Sequence, residues 1–362
     1  MNNTEIHQTK STPRQSNLEL YRIIVMLFIV AHHYVVNSGV MKLMQEDPTS
    51  FRSIYYYVFG AWGKVGINCF VLITGYFMCT STITLQKFLK LFFEVIFYMI
   101  TVNIIMIAIG VGHFSVREIW SDLQLLFDVS SCFTSCFIMF YLFIPFLNIL
   151  VRNMTQQQHL YLVVLCLTIY TGISTFMLGK VEMNYIVWFS ILYFIASYIR
   201  LYQPMQNVRW GLIFFGGGIV SIATIVIPLC LGEMLGKTLP YYHFLSDSNK
   251  LLAVVLSVSM FMYFKDIQIP HSKLINRIAQ SCFGVLLIHA NSNAMRQWLW
   301  TDTLDVAGYY YTEFYVLHSV LSVIGIYIVC TVIDQLRIEL LEKPLFSRLG
   351  KFEFTNGRLI KK

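Results

Sequence analysis

Apolar residues run along this chain in long stretches broken by short polar interruptions. Ten stretches are of the length that spans a bilayer as a helix, roughly 17–25 residues. They lie at 18–38, 59–80, 88–111, 132–151, 159–179, 184–202, 210–232, 250–265, 275–292 and 313–334, the eighth and ninth being short. The pattern predicts an all-α fold: a polytopic transmembrane helix bundle of about ten spans. A polar tail over 1–15 precedes the transmembrane domain at 16–334, and a basic tail over 335–362 follows it. Between the third and fourth spans, FSVREIWSDLQLLFD reads as an amphipathic helix lying in the interface. The glycines at 216–218 permit close helix packing, and no linker of low complexity or clear internal repeat is visible.

Composition points the same way. Of 362 residues, 57% are hydrophobic and 12% charged, about half the charged fraction of a soluble domain. Charge distribution sets the orientation. With the N-terminus inside and the spans alternating, 17 of the 26 Lys and Arg fall on the inner side and 8 on the outer, with Arg22 inside the first span. Basic excess marks the cytoplasmic side, so both termini are expected there, facing anionic lipid. The net charge of +7 is thus explained by membrane lipids, and nucleic acid is not expected as a partner. No cleavable signal peptide is expected, because the first segment lacks a short apolar region with a small-residue cleavage site. All eight cysteines sit in apolar segments, and no Cys–His spacing suggests zinc. Cys132 and Cys136, four apart, read as a bundle contact.

The first span, LYRIIVMLFIVAHHYVV, carries Arg22, His32 and His33. A central Arg costs roughly 2.5–3.5 kcal/mol to insert. At 100° per residue, Arg22 and His33 are about 20° from sharing a face and roughly 16 Å apart along the axis. Glu19 stands three residues before Arg22, where an ion pair forms readily. Arg22 could instead snorkel to the inner headgroups, and His33 could bond a neighbouring helix. His32, on another face, reads as structural. The ninth span carries SCFGVLLIHANSN, whose His289 lies at a depth similar to His33. The second span places Asn68 and Thr74 near mid-depth, and the third opens with Lys87, Lys90 and Glu94. Arg22, Lys87 and Lys90 form a basic cluster at the inner mouth. The lysines are either ordinary anchors or a device for capturing phosphates.

These residues resemble the acyltransferase-3 family of bacterial integral membrane acyltransferases. The resemblance covers nearly the whole chain. The family's first-span pattern, an acidic residue, two others, Arg, ten others, then His, falls on Glu19, Arg22 and His33. VGINCFVLITGYF resembles its second-span element, with Gly66, Phe70, Gly75 and Tyr76 in place and Thr74 where Ser is usual. SCFGVLLIH resembles a late element through Ser281, Gly284 and His289, and YLFIPFLN and YFIASYIRLY look like further segments. Cys132 stands where Trp is frequent before Phe133. Lys87 and Lys90 stand where Arg is frequent, and Lys offers a point charge in place of a bidentate fork.

The resemblance implies transfer of an acyl group, most often acetyl, from acyl-CoA to a hydroxyl of a cell-surface or lipid-linked glycan such as exopolysaccharide, at the bacterial plasma membrane. It implies His33 as general base or, alternatively, transient acyl carrier. Arg22 would hold the donor or polarise its thioester, with Lys87 and Lys90 in donor binding. Glu19, Asn68 and His289 become candidates for orienting substrate or His33, and no metal is expected. The chain itself is a further candidate partner, as a homo-oligomer. Two other classes stay open: a non-catalytic polysaccharide exporter or flippase-like component, and a proton-coupled transporter with the histidines as relay.

Overall fold

A computed structural model of the chain describes residues 14–111, 124, 127–128 and 132–349, and the backbone of 352–355 and 358–361. Each of the ten apolar stretches is helical. In chain order, α1 is Ser16–Val36, α2 Val40–Glu46, α3 Phe51–Phe59, α4 Gly63–Met78, α5 Leu85–Ala108 and α6 Phe133–Asn153. Next, α7 (Gln156–Leu167) passes into a π-helical turn over Thr168–Ile173, followed by α8 (Tyr185–Tyr202), α9 (Trp210–Leu235) and α10 (Leu251–Asp266). The ninth stretch is two pieces, α11 (Lys273–Gln280) and α12 (Cys282–Ala290), parted at Ser281. The short α13 (Asn293–Gln297), a π turn over Trp298–Thr303 and α14 (Val306–Tyr309) lead to α15 (Tyr315–Arg337). A third π turn, Ile338–Glu342, joins α15 to α16 (Lys343–Leu349). Among the described residues the fold is all-α apart from an antiparallel hairpin of β1 (Phe352–Thr355) and β2 (Arg358–Lys361).

Among the described residues, seven helices are long and apolar enough to cross a membrane. The remaining three predicted stretches are helical but short or interrupted, by the π turn after α7, by the 16-residue length of α10 and by Ser281. The stretch expected at 59–80 starts earlier, since α3 and α4 together run from Phe51 to Met78. Residues 335–349, placed in the basic tail from the sequence, continue the last helix. The interfacial helix expected in FSVREIWSDLQLLFD falls mostly outside the described residues, as do residues 1–13 of the N-terminal tail.

Side-chain capping sets several helix starts at the polar interruptions. Thr84 accepts from Lys87 N, Ser272 from Ile275 N, and Asn184 from Ile186 N and Val187 N. Thr155 and Gln158 form a reciprocal capping box. Each supplies acceptors for amides that a helix start leaves unpaired.

Pairwise contacts give the helix directions. Ser16 Oγ donates to Asn276 Oδ1 at 3.0 Å, and further along both chains His33 meets His289. So α1 runs the same way as α11–α12. Against α4 the order reverses, with His32 beside Gly63 and Ile29 beside Gly66. It also reverses between α5 and α15, where Glu94 pairs Arg337 and Tyr98 bonds Asp334. These directions agree with successive passes that alternate.

The core forms where α4 is enclosed by α1, α8 and α10, around Trp188, Phe189, Tyr193 and Phe261. In contrast, α5 and α9 expose apolar side chains such as Ile104, Phe215, Ile219 and Met234, a surface suited to lipid. The loop after α9 folds over the end of the bundle where His33 lies. It is tied down by Tyr242 on the Tyr57 carbonyl (2.5 Å), His243 on the Thr175 carbonyl (2.7 Å) and Lys250 on the Ser174 carbonyl (2.7 Å).

Candidate active site

His33 leaves α1 in its last turn and reaches α12. Its Nδ1 lies 2.9 Å from Nε2 of His289. His289 is fully buried, and its Nδ1 lies 2.5 Å from the Val285 carbonyl, one turn back in its own helix. These two distances determine the protons of the neutral pair. A carbonyl only accepts, so His289 Nδ1 carries hydrogen, and its Nε2 is therefore bare. That bare nitrogen accepts from His33 Nδ1. His33 Nε2 is then left with the lone pair. A chain from backbone carbonyl through two imidazoles thus fixes both ring orientation and tautomer, and it presents a basic nitrogen on His33, which is half-buried.

Aromatic rings enclose the pair. Trp300, from the second π turn, stands edge-on to His289 with centroids 6.2 Å apart, and edge-on to Tyr34 at 5.8 Å. Tyr34 is fully buried, and its hydroxyl meets His318 Nδ1 at 2.8 Å. Trp300 was not recognised from the sequence, because its place depends on the π turn and on chain reversal after α12.

The neighbouring His32 is turned away. Its Nδ1 donates to the Gly60 carbonyl at 2.6 Å. Its ring lies over Gly63, where an added Cβ would come within 2.3 Å of the imidazole. The glycine lets α4 approach the ring, and His32 serves the α1–α4 crossing.

Nearer the start of α1, Glu19 is flanked by Arg14 and Arg22, each 3.6 Å away, with Glu19 buried. Arg22 is partly exposed. By helix periodicity it lies within about 20° of the α1 face from which His33 reaches α12, eleven residues nearer the start of the helix.

The remaining candidates lie elsewhere. Lys87 donates to Ser81 Oγ and the Thr82 carbonyl, both at 2.8 Å, and keeps its charge unpaired by any carboxylate among the described residues. Lys90 lies 3.6 Å from Glu342 and over the Phe346 ring. No contact joins either lysine to Arg22 among the described residues. Asn68 is not brought to the histidines. Its Oδ1 accepts from Trp188 Nε1 at 2.8 Å and its Nδ2 donates to the Ser248 carbonyl at 2.7 Å. Both ends of the amide are committed to tying α4 to α8 and to the covering loop.

Sequence reasoning missed a buried ionic cluster. Arg337 holds Asp334 at 2.8 Å, Glu342 at 2.7 Å and Glu94 at 3.1 Å. The signal was available as Asp334 inside an apolar run with Arg337 one turn later. Reading the span as ending at 334 hid it. A small cavity between α5, α6 and the end of α12 is lined by Tyr98, Thr134, Ser135, Leu287, Asn291 and Ser292 among others. Among the described residues, no group of three or more His, Cys, Asp or Glu is placed to hold a metal ion.

Comparison with known proteins adds one finding. No curated protein and no solved structure matches the chain. A family model described as an acyltransferase domain matches residues 15–334, the region that holds Glu19, Arg22, His33 and His289. The chain therefore belongs to the acyltransferase-3 family, and is a multi-pass membrane acyltransferase.

Proposed function

We propose that the protein transfers an acetyl group from acetyl-CoA to a hydroxyl of a cell-surface or lipid-linked glycan, with His33 as general base. The observation that carries this reading is the 2.9 Å contact between His33 and His289 together with the Val285 bond. A hydroxyl nucleophile needs a base that is neutral when substrate arrives and oriented toward it. The chain of bonds leaves His33 Nε2 as that atom.

In this mechanism His33 Nε2 takes the acceptor hydroxyl proton as the oxygen adds to the acyl carbonyl carbon. The positive charge then on His33 is shared through Nδ1 with His289. The carbon–sulfur bond breaks, and His33 returns its proton to the departing thiolate. The cycle leaves an ester and a free thiol, with no net proton taken up. Arg22 shares the α1 face of His33 and carries a charge that Glu19 meets only at 3.6 Å, so it suits an anionic donor or a developing oxyanion. Lys87 supplies an exposed cation for donor phosphates. Lys90 contributes less, because Glu342 already answers its charge.

The donor is anionic and made in the cytoplasm, so the basic inner side expected from the charge distribution suits it. We place the protein in the bacterial plasma membrane, with both termini cytoplasmic, on the same grounds. Purified protein incubated with acetyl-labelled acetyl-CoA and a glycan acceptor tests the reading. Label should pass to the glycan as an alkali-labile ester. Glycan translocation without ester formation would instead identify an exporter.

A further inference from the structure

We propose that Asp334 and Arg337 are positioning residues for acyl transfer, which hold α12 where its His289 can orient His33. This rests on the reading of His33 as base. The two residues touch neither histidine, and their effect passes through Gly284.

Three carboxylates converge on one guanidinium. Arg337 Nε donates to Asp334 Oδ1, Nη1 to Glu342 Oε2, and Nη2 faces Glu94 Oε1. The Arg337 side chain is 2% exposed. Glu342 reaches Arg337 because Ile338–Glu342 is a π turn, which brings a residue five positions on back to the same face. Tyr98 on α5 donates to Asp334 Oδ1 at 2.7 Å, and its ring lies under the guanidinium. Asp334 is thus held from two helices through Oδ1, while its Oδ2 is buried with no hydrogen-bond partner among the described residues.

Its carboxylate rests on α12. A Cβ added at Gly284 would fall 2.3 Å from Asp334 Oδ1 and 2.4 Å from its Cγ. Only glycine allows that approach. Next along the chain, Gln335 donates to Ser281 Oγ at 2.8 Å and to the Arg277 carbonyl at 2.9 Å, and accepts from Arg277 Nε. These bonds clasp the break between α11 and α12.

The break is what makes the clasp matter. As a nine-residue piece, α12 does not inherit its tilt from a longer rod. Contacts along it set the tilt, and Gly284 is five residues, about 7.5 Å, from His289. A hydrogen bond between two rings tolerates little displacement. Burying several charges together is weak ground for stability, since a well-packed apolar group of the same shape serves as well or better. Fixing one geometry is the role this cluster suits.

The test is a mutant cycle on the full-length protein, reading kcat and KM for acetyl-CoA. Gly284→Ala should lower kcat about tenfold with KM little changed. The same substitution in a His289→Ala background should cost nothing further, because its effect passes through His289. Tyr98→Phe removes one hydrogen bond at nearly constant volume and should show the same pattern more mildly, so it decides the matter if Gly284→Ala fails to fold. Arg337→Lys should retain less activity than Tyr98→Phe, because one ammonium cannot hold three carboxylates in a fixed fork. Unchanged kcat in both Gly284→Ala and Tyr98→Phe would overturn the proposal. So would losses that multiply with that of His289→Ala, or that appear in KM alone. Failure of the base reading is distinguishable: it would show as full activity in His33→Ala, whatever the cycle gives.

Discussion

His33 and His289 are 256 residues apart in sequence and 2.9 Å apart in space. Their contact is what turns two isolated membrane histidines into one chemical unit. It has a direction, because the Val285 carbonyl obliges His289 to donate from Nδ1 and accept at Nε2. His289 should therefore matter as an acceptor. His289→Ala should lower kcat about 10–10²-fold through loss of orientation. His289→Gln, whose amide oxygen can still accept from His33 Nδ1, should recover part of that loss. Steady-state kinetics on equal amounts of folded protein check it. Equal activity of the two variants would remove His289 from the orienting role.

Donor binding should separate from base catalysis. Arg22→Ala should weaken acetyl-CoA binding far more than acceptor binding. Lys87→Ala should weaken it more mildly, and the effect should shrink as salt rises, because the ammonium is exposed and screened. Lys90→Ala should do least, because Glu342 is its partner. Calorimetric titration with coenzyme A resolves the three, and normal binding in all of them would reduce these residues to membrane anchors.

Asn68 and His32 should behave as parts of the scaffold. Asn68→Ala leaves the Trp188 indole N–H and the Ser248 carbonyl without partners, at about 1–3 kcal/mol for each buried group. The thermal midpoint should fall while kcat per folded molecule holds. His32→Asn should also keep most activity, with stability lowered by about 1 kcal/mol for a bond to the Gly60 carbonyl. Thermal melts paired with single-turnover rates check both. A lost kcat at an unchanged midpoint would move either residue into the site.

The bundle was legible in the sequence because lipid imposes one requirement, long apolar helices, and leaves a strong pattern. Glu19, Arg22 and His33 were legible because they share one helix face, which periodicity reveals. Similar depth also linked His33 with His289, although depth gives no azimuth. Asn68 shows the difference: it sits at mid-depth and faces Trp188 on α8. Arg337 was hidden for another reason. Hydropathy ends a span at its first charges, whereas α15 carries Asp334 and Arg337 inward and neutralises them on α5 and the π turn. Part of that compensation, Glu94 and Tyr98, comes from residues more than 200 positions away, beyond any local window, and Glu342 reaches Arg337 only through the π turn.

Orientation can be read independently of chemistry. Ten passes with both ends in the cytoplasm require that a reporter at residue 240 face outward and reporters at residues 10 and 355 face inward. The parallel course of α1 and α11–α12 requires the loops around residues 40 and 292 to share the outer side. Cysteine labelling with a membrane-impermeant reagent tells them apart, and an outward C-terminus would contradict the topology.

The most direct test of the account is transfer of labelled acetyl from acetyl-CoA to glycan in membranes holding equal amounts of wild type, His32→Ala and His33→Ala. Losing a general base typically costs about 10²–10⁴ in rate. His33→Ala should fall by that factor while remaining folded and able to bind coenzyme A, and His32→Ala should keep much of its activity. Near-wild-type transfer by His33→Ala, or loss confined to His32→Ala, would contradict the assignment of His33 as the base.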